Sequence, residues 1–154
     1  MNKVNEIQER LERFAPYKNI YVPEFTFQTR GRDYRIDAII IDIPHRWIRG
    51  FEIKVKKTDF QRDIKWTQYT RFCSSVSIAC PEGLIEPEEV KSPFGLLWVG
   101  SALQWKKRPL NFQKRDSLAW IWTYIEILEY ELPRLNNDLC LLKDRLKELS
   151  YVKT

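Results

Sequence analysis

The chain has 154 residues, 44% of them hydrophobic and 14% aromatic, which suits one domain with a sizeable core and excludes a disordered chain. Net charge is +5 at pH 7. The three cysteines, Cys73, Cys80 and Cys140, form no CxxC pair and His45 is the single histidine, so the usual zinc-site spacings are absent.

The odd cysteine count and the charged start point to a reduced, cytoplasmic setting without a signal peptide. The longest apolar run, residues 118–128, contains Glu126 and falls short of the ~20 residues needed to cross a bilayer, so no membrane partner is expected.

Taken in chain order, residues 2–14 read as a helix, because Val4, Ile7, Leu11 and Phe14 recur at spacings of three and four before Pro16. Glu6, Glu9 and Glu12 lie off that stripe. Residues 20–29 alternate as a first strand and turn at Arg30-Gly31-Arg32-Asp33. Residues 36–42 and 47–55 then form a hairpin around Pro44 and His45.

Within the hairpin, Glu52, Lys54 and Lys56 share one face of an extended strand while Phe51, Ile53 and Val55 take the other. A register near its centre sets Asp37 opposite or beside Glu52. Two adjacent carboxylates repel unless a cation or a proton lies between them. Carboxylate oxygens plus water suit Mg²⁺ or Mn²⁺, and a neighbouring lysine can position a nucleophilic water, which is chemistry for cutting a phosphodiester. Residues 46–71 carry eight Lys or Arg against three Asp or Glu, an excess as large as that of the whole chain. Such a stretch beside carboxylates suits a polyanion partner such as DNA.

Asp59, with Thr58 as competitor, is expected to cap a helix running to about residue 73. Phe60, Ile64 and Phe72 fall near one face. Arg62, Lys65 and Tyr69 lie on another that could grip a phosphate backbone, with Tyr69 or Gln68 reaching toward the site; Trp66 reads as core ahead of stacking platform. Residues 75–79 form a strand ending in the Pro81-Glu82-Gly83 turn. Pro87-Glu88-Glu89-Val90 begins a short helix, 94–99 forms a further strand, and 103–107 folds back on it. From Ser117 the chain is helical, and Leu128, Leu132, Leu135, Leu139, Leu142, Leu146 and Leu149 make a heptad seam that pairs with a second copy or folds back.

Asp37 on the second strand and Glu52-Ile53-Lys54 on the third, in the order helix, three strands, helix, strand, resemble the PD-(D/E)XK nuclease superfamily. Pro23-Glu24-Phe25, Arg35-Ile36-Asp37, Phe51-Glu52-Ile53-Lys54, Thr58-Asp59-Phe60, Asp63-Ile64-Lys65-Trp66, Tyr69 and Ala79-Cys80-Pro81 are similar to the MmcB-type DNA-repair nucleases. The resemblance implies an α/β (α+β) restriction-endonuclease-like core over 1–108, with a mixed sheet flanked by helices, and a helical extension over 109–154 that packs on the core or dimerises. It implies a Mg²⁺- or Mn²⁺-dependent deoxyribonuclease. Asp37, Glu52 and Lys54 would be catalytic; Asp37, Glu52, the Ile53 carbonyl and either Glu24 or Glu9 would hold metal; Lys56, Lys57, Arg62, Lys65 and Tyr69 would hold DNA. The alternative is an inactive module of the same fold that binds nucleic acid or a protein partner through its C-terminal helices.

Overall fold

A computed structural model describes residues 2–15, 19–29, 31–42, 44–63, 68–70, 72–111, 125 and 143–148. The chain divides into two compact units, Met1–Lys114 and Arg115–Thr154. The first is α+β, built on one six-stranded mixed sheet. Of the leucine seam, only 143–148 lie among the described residues, and they are helical.

Helix α1 (Lys3–Phe14) starts where the Asn2 side chain accepts the Asn5 amide, satisfying one of the free amides of the first turn. Ile7 and Leu11 are buried, with Val4 and Phe14 packed alongside, so the stripe faces the sheet. At the far side Arg10 reaches the Gly100 and Ser101 carbonyls and ties the helix to a distant turn.

Strands β1 (Asn19–Thr29), β2 (Arg32–Asp42) and β3 (Trp47–Ile53) form an antiparallel meander. Gly31, at φ 73°, takes the left-handed conformation of the first turn, where a side chain would be strained. β4 (Ser75–Pro81) and β5 (Gly95–Val99) continue the sheet parallel to β3, and β6 (Leu103–Lys107) closes it antiparallel. In β2, Ala38, Ile39, Ile40 and Ile41 are all buried, as expected of a strand covered on both faces. One core joins Ala38, Ile40, Phe51, Ile53, Ala79 and Leu97 to α1.

The other face packs tightly around Gly50. A Cβ there would stand 2.6 Å from Ile36 Cδ1 and 2.7 Å from Cys73 Sγ. Gly50→Ala is expected to cost about 1–3 kcal/mol through overpacking; an unchanged urea midpoint would count against this packing.

The helix after β3 differs from expectation. α2 (Lys57–Arg62) has only six residues and begins before Thr58, with Lys56 at its N-cap making no side-chain cap, so neither Thr58 nor Asp59 caps it. Asp63 leaves the helix with extended backbone, because its carboxylate is drawn to Lys54. Lys65 and Trp66 lie outside the described residues.

Candidate active site

Extended strands alternate, yet here two residues three apart share a face. Ile39 lies directly opposite Gly50, and Ile36 fills the space over the same glycine. Their β1 partners, Val22 and Phe25, are likewise three apart and both buried. The alternation breaks between them, at Glu24 and Asp37, which are skipped in the ladder between Pro23–Ala38 and Phe25–Ile36. Glu24 has φ 51°, a left-handed conformation that costs a non-glycine residue energy.

The break releases Asp37 from regular pairing and holds it by other means. Its Oδ2 accepts the Ile53 amide at 2.7 Å, its carbonyl accepts Gln8 Nε2 from α1 at 2.9 Å, and its amide approaches Glu52 Oε1 at 3.4 Å. The β2–β3 ladder ends at Ala38–Phe51, and one position beyond it on each strand the Asp37 and Glu52 carboxyls stand close enough for Asp37 to raise the Glu52 pKa.

Glu52 is 4% exposed. Burial, followed by the Asp37 carboxyl, pushes its pKa up to about 9, with Lys54 and Tyr69 opposing. Near neutral pH the metal-free Glu52 carboxyl therefore holds its proton.

Lys54 follows two positions on, its amide still donating to the Ala79 carbonyl. Its ammonium is buried and meets Asp63 Oδ2 at 2.5 Å. Tyr69, expected on a phosphate-gripping surface, is instead 3% exposed. Its hydroxyl lies 2.7 Å from the Arg35 carbonyl and 3.1 Å from Glu52 Oε2, and its ring packs edge-on against Phe27. That hydroxyl buttresses Glu52, and burial beside it raises the tyrosine pKa above its ordinary value.

The two candidate extra glutamates go elsewhere. Glu24 is exposed and pairs with Arg35 at 2.9 Å. Glu9 lines a cleft of about 350 Å³ with Glu6, Lys3, Arg10 and Gly100, away from the carboxylate pair. Glu24→Gly should therefore match or exceed the wild-type melting temperature, because glycine takes φ 51° without strain; a clear loss would mean that the Arg35 pair outweighs it. Lys56 and Arg62 are exposed, and Lys57 pairs with Glu89 at 2.9 Å.

Among the described residues, no three His, Cys, Asp or Glu side chains converge as a metal-ligand group. The oxygen donors present are the two carboxylates, with the Ile53 peptide held against them. A two-carboxylate set completed by water and phosphate suits Mg²⁺, which seldom takes an all-protein cage. Gln8 Oε1 and Tyr21 Oη add two buried polar atoms without partners among the described residues. Gln8 bonds the Asp37 carbonyl, and the Asp37 carboxylate follows burial and Glu12 in raising the Tyr21 pKa.

Gln8, Tyr21 and Asp63 have no role assigned by sequence pattern. Asp63 stands within the Asp63-Ile64-Lys65-Trp66 motif, but Gln8 sits on the flank of an ordinary amphipathic stripe, and nothing local marks it.

A comparison with protein-family models and with curated proteins finds no match. The fold does recur. The chain is similar to the SPO1766 protein of unknown function from Silicibacter pomeroyi, with a TM-score of 0.63 at 23% identity over 81% of this chain and 80% of that one. At that identity the likeness concerns the fold alone. No described helix is long and apolar enough to cross a membrane.

Proposed function

We propose that the chain is a Mg²⁺- or Mn²⁺-dependent deoxyribonuclease with a restriction-endonuclease-like core. The observation that carries this reading is the half-buried Asp37 carboxyl set against the buried Glu52 carboxyl, with the buried Lys54 two places along the chain. Asp37, Glu52 and the Ile53 carbonyl would hold the ion. When bound, it supplies polarisation of the scissile phosphate and a water of lowered pKa, so no histidine base is needed.

The chain's own groups do the rest. Asp63 holds and aims the Lys54 side chain, so that its ammonium stabilises negative charge gathering on the phosphate. Tyr69 fixes the Glu52 carboxyl from behind. Lys56 and Arg62, exposed beside the site, attract the DNA backbone.

The test is cleavage of plasmid, single-stranded and branched DNA with Mg²⁺ or Mn²⁺. Cleavage that EDTA abolishes is expected; intact DNA in every case would sink the proposal. One observation favours a second reading, a nucleic-acid-binding module without hydrolysis: Lys54 is engaged by Asp63, and no third carboxylate joins the pair among the described residues. Mn²⁺ calorimetry separates the two readings, since the module would bind DNA in a salt-sensitive way and bind no metal.

A further inference from the structure

We propose that the cleft between the hairpin end of β3 and the end of β6 is a subsite for single-stranded DNA. It takes one base against its tryptophans and the adjoining phosphate on Arg108. The cleft, of about 180 Å³, is lined by Trp47, Arg49, Phe51, Trp105, Arg108 and Asn111, among others. Its β3 residues, Trp47, Arg49 and Phe51, are the side chains that alternate away from Glu52, on the opposite face of the strand. It is therefore distinct from the carboxyl pair.

Three features specify the ligand. Each tryptophan carries a guanidinium over its ring at 5.4 Å, Arg49 over Trp47 and Arg108 over Trp105, so flat aromatic surface and positive charge alternate across the cleft. Arg49 is neutralised by Asp42 at 2.9 Å, whereas Arg108 is exposed and makes no ion pair among the described residues. Trp47 Nε1 and Arg49 Nε are buried donors without acceptors among the described residues.

Buried donors left unsatisfied call for an explanation, and both belong to residues of this cleft. A ligand that answers all three features has a π-face, a negative charge and several acceptors. A nucleotide within an unpaired strand has these together. Bases still stacked in a duplex present no free face, which selects the single strand.

This deepens the nuclease reading and rests on it for the choice of DNA as the polymer. The experiment is a tryptophan-fluorescence titration of the full chain with oligodeoxythymidylate in EDTA, where hydrolysis plays no part. Saturable quenching is expected. Arg108→Ala should weaken binding and lower the salt slope by about 0.7, the share of one phosphate contact on a single strand.

Trp47→Phe keeps a ring and removes one orphan donor, so it should weaken binding roughly tenfold without lowering the melting temperature. No quenching, or wild-type affinity in both variants, would overturn the proposal. Equal quenching by a poly-glutamate peptide would overturn it in favour of an acidic protein partner. Binding intact without any cleavage would refute the nuclease reading alone; cleavage with both variants binding normally would refute the subsite alone.

Discussion

Asp37→Ala and Lys54→Ala are each expected to lower metal-dependent DNA cleavage by at least about a hundredfold, the usual loss when one preorganised electrostatic contact to the transition state is deleted. In the proposed site Asp37 would contribute an oxygen that neither Glu24, committed to Arg35, nor Glu9, in another cleft, is placed to replace. Asp37→Asn refines the result. It keeps an acceptor for the Ile53 amide, now bonded at 2.7 Å, while removing the charge, so an inactive Asn variant that melts like wild type assigns the loss to charge and not to folding. Lys54→Ala leaves the Asp63 carboxylate without the ammonium that meets it at 2.5 Å, and its melting curve must be recorded alongside its rate. Cleavage persisting in both alanine variants would remove these residues from the mechanism.

Glu52→Gln is expected to stabilise the metal-free protein while abolishing cleavage. The folded pKa of about 9 lies above the ordinary 4.5, so folding favours the protonated carboxyl. That contribution is complete below pH 4.5 and is lost as pH rises toward 9. Wild-type stability should therefore decline across this window, whereas the glutamine, a permanently neutral mimic, should not follow that decline. Near pH 8 the difference between the two proteins is at most about 5 kcal/mol, by the linkage between proton binding and folding. For a domain of this size that is on the order of 10 °C in melting temperature. Mn²⁺ should raise the melting point of wild type and leave the variant unmoved. Parallel pH profiles for the two proteins would contradict a buried Glu52 that holds its proton at neutral pH.

The expectation and the structure part company where contacts are long-range. The α2 segment holds a good helical pattern from Asp59 onward, but Asp63 turns out of the helix toward Lys54, nine positions earlier. Tyr69 falls on the basic face by spacing, yet a polar tip that reaches both Arg35 and Glu52 outweighs a place at the surface. Gln8 looks like any flank residue of α1 until β2 arrives to offer the Asp37 carbonyl.

From residues alone, the α1 stripe, the β2–β3 hairpin and the nearness of Asp37 to Glu52 were legible. Each depends on a period of 3.6 or 2 and on a short turn, which are local properties of the chain. The parallel placing of β4 and β5, the interruption of alternation at Glu24 and Asp37, and the capture of Lys54 by Asp63 were settled by tertiary structure. Parallel neighbours need a crossover, and a buried charge takes whichever partner the packed fold brings near, so neither choice is written in a local pattern.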